Sequence, residues 1–519
     1  MTKKYSTYIM IIAMTIVMAI VMQLSQEYRL YAKEVEHLWL NDWMWIAPYF
    51  AEPGGVSQLL TSAMTQYWGM WGMGALCLAL VFGCILFFGL KIQRSMCISD
   101  SMFSFWLFPL GFMYLSNEHS YFNMKAHVAL LIAVLISVLY IKLTESQKLH
   151  SLINAIVALI LLSLSYWTAG SAAFVSVTVI SIYEILKNKN WWQMIAFLVI
   201  IILLAGFSVK AGSFVDMEEA LTPAQYYEWP ASYNTPLFAW LGIPAVLLLG
   251  AFLSRKIMKE ENKAKKYGAF VFVSGLIVSV LTIFNSYRVV HNPRMDLLRQ
   301  DEWRARNQDW DGIIASHKGI KEPTPFISYL NLALAKKGQL VQRMAEFNPY
   351  IMWSEEEKMY SPVLMVHNEK SRDALKLQSC VFMEWGGAAL ANAQKSAFEA
   401  NFLTPGECDP DELKRLVITN SLFNTEKTAQ KYLRRLARTT LYGFWAEERL
   451  ADPSLVNNDV EQLRRTLPDE DSFYYKTQVG KMLRQIVMQD PENKVAAQFY
   501  ETYLIQSRDT VAYRHWKER

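Results

Sequence analysis

The sequence predicts an all-α protein, a polytopic membrane domain followed by a soluble helical domain, on three observations. The 519-residue chain is 53% hydrophobic, too apolar in its first half and too long overall for a single soluble domain. Up to about Tyr287 it is a series of apolar runs, and beyond it charged residues recur every few positions. The second half also holds few of the alternating β-branched runs that mark strands. A mean hydropathy of +0.12 averages these unlike halves.

Nine apolar segments can be marked in the first half: Tyr8–Leu24, Trp68–Leu90, Met102–Leu115, Val128–Ile141, Leu152–Trp167, Ala172–Leu186, Trp192–Val209, Pro236–Leu253 and Gly268–Ser286. Several fall short of the ~20 residues a straight helix needs to cross the hydrocarbon, so flanking aromatics must complete them. The first follows Lys3-Lys4 without a small-x-small cleavage pattern and reads as an anchor, not a signal peptide. Nine spans with the N-terminus inside put fourteen Lys and Arg residues on inner loops and four on outer loops, as the positive-inside bias requires. Met102–Leu115, broken by Pro109, is the weakest segment. Dropping it would turn the six basic residues from Arg255 to Lys266 outward.

The expected organisation is therefore a membrane domain over residues 1–287 and an extracytoplasmic helical domain over 288–519, periplasmic in a two-membrane cell. Residues 25–67 read as the first outer loop. After Glu52-Pro53-Gly54-Gly55, apolar residues fall at 56, 59, 60, 63, 64 and 67, the spacing of an amphipathic helix lying along the membrane surface with a Ser, Gln and Thr face opposite. Of the cysteines, Cys77, Cys84 and Cys97 sit in or inside the membrane, while Cys380 and Cys408 share the oxidising side. Those two form either a disulfide or a pair of small buried apolar side chains.

Helices are expected at Asp296–Asn307, Thr324–Lys337, Leu375–Asn401, Pro410–Leu422, Glu426–Arg438, Asp471–Met488 and Asn493–Gln506, punctuated by Gly, Pro and Asp. Short helices joined by brief turns suggest an α-solenoid. Trp310-Asp-Gly-Ile-Ile, followed by Tyr329-Leu-Asn-Leu-Ala-Leu-Ala335 and Gly338, resembles a tetratricopeptide unit, and Asp490-Pro-Glu-Asn493 before Val495-Ala-Ala resembles the start of another. The Pro53-Gly54-Gly55 turn, Asn331-Leu-Ala-Leu-Ala335 and Ala397-Phe-Glu-Ala400 together resemble an uncharacterised family of integral membrane proteins from Bacteroidota-type bacteria, which implies no activity.

Many spans, an acidic first outer loop with an interfacial helix and a soluble outer C-terminal domain resemble the GT-C glycosyltransferases. That resemblance implies sugar transfer from a polyprenyl-phosphate donor, with a first-loop carboxylate as base or metal ligand. Here Glu27, Glu36 and Asp42 are the catalytic candidates, and the aromatics around Asp42, Trp43 among them, can shield it and stack on sugar. The class's acidic pair after the first span is missing. Glu118, His119, Lys125, Arg288 and Arg294 lie on outer segments where they can meet a lipid phosphate or substrate. The plainer alternative is that these charges solvate outer loops.

No Walker loop, dinucleotide glycine fingerprint, His-Glu-x-x-His, nucleophile elbow or CxxC pair is present; a Glu or His pair on the outer segments could hold a divalent cation, and the sequence names no cofactor or specific metal ligands. The net charge of +4 is mostly inner-loop lysine, which excludes nucleic acid as the expected partner. Few charges fall within the segments, which disfavours an ion-coupled transporter. The rival to an enzyme is a membrane-anchored scaffold whose helical domain binds a periplasmic protein.

Overall fold

The structure, a computed structural model, describes residues 2–36, 38–119, 124–147, 151–187, 189, 191–227, 234–256, 261–320, 328–347, 371–404, 409–468 and 478–518. It is all-helical and divides into two compact units. The first comprises Met1–Leu30 and Asp42–Asn292, the second Tyr31–Asn41 and Pro293–Arg519.

The first unit holds α1 (Thr2–Glu36, through Leu30), α2 (Trp43–Ala51), α3 (Gly55–Thr65), α4 (Met73–Ser95), α5 (Leu107–Ser116), α6 (Lys125–Gln147), α7 (Ser151–Ala169), α8 (Ala173–Lys187), α9 (Trp191–Lys210), α10 (Met217–Leu221), α11 (Asn234–Lys256) and α12 (Glu261–Val290). Among the described residues seven stretches are long and apolar enough to cross a bilayer, as in a multi-pass membrane protein. The difference from nine segments has two sources. Asp100–Ser116 is a seven-residue 3₁₀ turn followed by the ten-residue α5, too short to qualify alone. Leu152–Lys187 forms one helical stretch that folds back at Gly170, where φ is +53°. Ser165 Oγ and Ser176 Oγ, eleven residues apart, are 2.9 Å from each other, whereas a straight helix would separate them by about 16 Å.

α4 and α6 are mostly buried, and α1, α9 and α12 turn most of their apolar surface outward. On α1, Ile9, Ile12, Ile16 and Ile20 are all more than half exposed, as expected where lipid covers the helix. Glu184, fully buried on α8, is satisfied by the Tyr140 hydroxyl at 2.6 Å.

Two expectations for residues 25–67 change. Ser25–Glu36 is not loop but the end of α1, because neither Gly nor Pro interrupts the chain before Pro48. In α3 the buried face is the polar one, Ser57, Thr61, Ser62 and Thr65, packed on α6 and α7, while Leu60 is 46% exposed. Small hydroxyl residues let helix backbones approach and satisfy their own oxygens on the preceding turn, as Thr61 does with Ser57 O at 2.8 Å. The apolar stripe is thus the outward face.

The turn before α3 is clamped. Gly54 N donates to Trp167 O at 2.9 Å, Gln225 Nε2 to Pro53 O at 3.1 Å, and Ser171 N to Gln225 Oε1 at 2.8 Å. A Cβ on Gly54 or on Gly170 would lie 2.3 Å from Gln225 Nε2, so both positions need glycine for space as well as for their positive φ.

The second unit holds α13 (Pro293–Arg306), α14 (Trp310–Ser316), α15 (Ser328–Lys336), α16 (Leu340–Phe347), α17 (Arg372–Trp385), α18 (Leu390–Phe402), α19 (Pro410–Leu422), α20 (Glu426–Leu436), α21 (Gly443–Ala451), α22 (Pro453–Arg464), α23 (Val479–Gln489), α24 (Lys494–Gln506) and α25 (Thr510–Lys517). Asp309, Ser371, Asp409, Asp452, Asn493 and Asp509 cap helix N-termini with their side chains, and Pro410 and Pro453 open their helices. Leu375–Asn401, expected as one helix, is two, because Gly386 and Gly387 both take positive φ. The expected helices omit α16, α21, α22 and α25, and α14 enters only through the tetratricopeptide resemblance at Trp310.

Neighbouring helices pack in succession from α17 to α22, while α24 returns onto α15 and α16. Phe382, Trp385 and Phe499 stack edge to face at the centre of this core. Cys380 is a free thiol, and Cys408 lies outside the described residues.

Candidate functional site

Each unit holds a cluster of buried charged side chains. In the first unit the centre is Glu118, in the turn after α5 and buried on its own element. Its carboxylate accepts from Gln26 Nε2 at 2.8 Å, pairs with Arg29 Nη2 at 3.3 Å and meets His291 Nδ1 at 2.8 Å. Arg29 also donates to the Glu118 carbonyl and, at 3.3 Å, to Asn292 O. Gln26 and Arg29 face the same way because they lie one turn apart on α1.

A carboxylate facing Nδ1 fixes that nitrogen as the proton carrier, so in the neutral ring Nε2 holds the lone pair. The His291 ring stacks on Tyr287 at 4.6 Å and remains partly exposed. Such a carboxylate can orient an imidazole and steady its charged form.

The other sequence candidates are placed separately. Glu27 is half-buried on α1 and accepts from Gln23 Nε2 at 2.9 Å. Asp42 is the N-cap of α2, accepting from Met44 N at 3.1 Å. Trp43 is 70% exposed and stacks on Phe50. His119 sits in the bend beside Glu118, Lys125 opens α6, and Arg288 is exposed on α12 with its guanidinium 6.0 Å from the Phe284 ring. Glu36 ends α1 with its side chain outside the description, and Arg294 is exposed on α13 in the second unit. Of the nine, Glu118 is brought into a convergent charged cluster in the first unit.

In the second unit a cavity of about 250 Å³ is bordered by α13, α15, α17 and α19. Helical spacing assembles it: Lys376, Cys380 and Glu384 share one face of α17, and Asp411, Lys414, Arg415 and Ile418 one face of α19. Lys376 pairs with Glu302 and, at 3.0 Å, with Asp409. Arg415 pairs with Glu412 and donates to Ser379 Oγ at 2.9 Å. Arg306 reaches Asp411 at 3.4 Å and Glu34 at 3.7 Å and donates to the Tyr442 hydroxyl.

Burial alone would raise Glu302, but Lys376 and Arg299 together hold it down at about 2. Burial pushes Glu34 up to about 7 against the pull of Arg306, pushes Cys380 up to about 11, and raises Glu412. It also lowers Lys414, whose ammonium stands over two aromatic rings.

Sequence reasoning missed this second cluster entirely. The i, i+4 charges on α17 and α19 were visible, but such spacing also marks an ordinary solvated face. It also left Gln26 out and counted Arg29 only as a topological charge, because α1 was ended too early.

No curated protein and no solved structure matches the chain. The profile of a family of unknown function, DUF6057, matches residues 2–513, nearly the whole length, and the chain belongs to that family.

Proposed function

We propose that this is a nine-span inner-membrane protein with the N-terminus inside, which transfers sugar from a polyprenyl-phosphate donor at its outer face, in the manner of the GT-C class. The nine-span reading is supported by the hairpin at Gly170 and by the burial of Met102, Trp106, Leu110 and Met113 in the Asp100–Ser116 segment. The transfer reading rests on one observation, the His291 ring held at 2.8 Å by the buried Glu118 carboxylate.

In that reaction the acceptor hydroxyl oxygen bonds to the anomeric carbon and the bond from that carbon to the donor phosphate oxygen breaks. The hydroxyl proton passes to His291 Nε2, and Glu118 stabilises the imidazolium so formed. Lys125 and Arg288 are the candidate cations for the leaving phosphate. The role assigned to Asp42 from the sequence passes to His291, since the Asp42 carboxylate already caps α2.

The test uses the full chain in detergent with polyprenyl-phosphate sugar donors. Turnover is expected in the wild type, lost in His291→Ala at unchanged melting temperature, and retained within about twofold in Asp42→Asn. Equal turnover by His291→Ala would sink the reading. The scaffold alternative is favoured by one feature, the exposed stripe of Phe398, Phe402 and Leu403 on α18. A stoichiometric protein partner lost in Phe402→Asp, with no lipid-linked donor bound, would select it.

A further inference from the structure

We propose that the cavity of the second unit binds a small monoanionic polyol of the sugar-acid class, with the Lys414 ammonium as the anchor for its carboxylate. The inference is independent of the transferase reading and rests on other residues.

Charge in the cavity is almost balanced, and the imbalance is localised. Four cations, Arg306, Lys376, Lys414 and Arg415, line it with three carboxylates, Glu302, Glu384 and Asp411. All but one of these seven groups has a partner of opposite charge: Glu384 pairs with Lys336, and the others pair as given above. Lys414 has no salt bridge among the described residues, because Asp411, one turn back on α19, is taken up by Arg306.

The Lys414 Nζ instead stands 5.0 Å from the Tyr442 ring and 5.4 Å from the Trp445 ring. Aromatic faces hold a cation in place without neutralising it. Burial depresses the Lys414 pKa against the partial pull of the Asp411 and Glu34 carboxylates, neither of which forms an ion pair with it. One carboxylate would complete its pairing, and a second negative charge would meet the three carboxylates of the wall.

The remaining features select the rest of the ligand. A volume of about 250 Å³ equals that of roughly eight liquid waters, enough for one six-membered ring with its substituents and too small for a nucleotide. Trp310 offers that ring an apolar face, and Glu384 and the exposed Gln308 offer acceptors and donors to hydroxyls. Tyr329 and Lys376 are almost fully buried and close the floor.

The experiment is calorimetric titration of the full chain in detergent with sodium glucuronate, glucose and sodium phosphate in turn. Saturable binding of glucuronate is expected, with none of glucose. Lys414→Met should weaken glucuronate by about tenfold or more, a loss of about 1.4 kcal/mol, while Lys414→Arg stays within about threefold. Because Cys380 lines the same cavity, glucuronate should also slow its alkylation in the wild-type chain, read site by site by mass spectrometry. This second measurement does not depend on any variant folding. Absence of glucuronate binding, equal binding of glucose, binding of phosphate alone, an unweakened Lys414→Met, or unprotected Cys380 would each overturn the assignment.

Discussion

The Tyr442 hydroxyl reaches across 408 residues of sequence to both carboxylate oxygens of Glu34, at 2.8 and 2.9 Å. Glu34 belongs to the last turns of α1 and is fully buried within the second unit, where Leu40 pairs with Thr439 and Asn41 N donates to Arg438 O at 2.7 Å. The end of α1 therefore belongs to the core of the second unit. That end carries a carboxyl group which burial raises to about 7.

The sign of the resulting pH dependence follows from linkage. With a folded-state pKa above the unfolded value of 4.5, the native state binds the proton more tightly, so stability falls as pH rises from about 4.5 to about 7 and is level beyond. The shift corresponds to about 3 kcal/mol. Glu34→Gln keeps an acceptor for Tyr442 and removes the titration. Unfolding of the full chain, followed at pH 5 and pH 8, should show a smaller loss of stability with pH in Glu34→Gln than in the wild type. Identical slopes in the two proteins would mean that Glu34 is not held in this environment.

Gly170→Ala is expected to destabilise the membrane unit by about 1–3 kcal/mol, from a strained φ of +53° and a Cβ that would press on Gln225. Gln225→Ala should also destabilise, because it deprives Ser171 N and Pro53 O of their partner. The two changes share one contact, so the double variant should lose less than the sum. Melting temperatures of the four proteins in detergent supply the cycle, and strict additivity would contradict the clamp.

The all-helical, multi-pass character of the chain was legible in the sequence because lipid imposes an apolar composition on long stretches of chain. Helix positions with strong caps were legible too: Pro410–Leu422 matches because Asp409 and Pro410 start it unambiguously. The end of α1 was not, since Glu27, Arg29, Lys33 and Glu34 look like loop charges unless their burial is known. The facing of α3 misled for a related reason. An apolar stripe predicts which face avoids water, and in a membrane that face can point to lipid while Ser and Thr point inward. Glu118 was found because it is an unusual charge beside an apolar segment. The second-unit cavity was not found, because its residues come from helices more than one hundred positions apart.

Lys376 and Lys414 border the same cavity but should respond oppositely to loss of charge. Lys376→Met leaves Asp409 buried without its cation and Glu302 with Arg299 alone, and is expected to cost about 3–5 kcal/mol. Lys414→Met removes a cation with no salt bridge and should change stability by no more than about 0.5 kcal/mol. Denaturant unfolding of the full chain distinguishes them, and equal losses would refute the described pairing.

Arg29 and Glu118 supply the last test, because each is buried and each would be left exposed to an unfavourable environment without the other. Arg29→Met strands the Glu118 carboxylate with Gln26 Nε2 and the His291 ring nitrogen as its remaining partners. The expected destabilisation is about 3–5 kcal/mol. Glu118→Met strands the guanidinium in turn and should also destabilise. Arg29→Met with Glu118→Met removes both charges together and should recover a large part of either loss. Thermal melts in detergent measure all four proteins. A double variant as unstable as the sum of the single variants would show that the two side chains do not depend on one another, and with that the orienting role of Glu118 towards His291 would lose its structural basis.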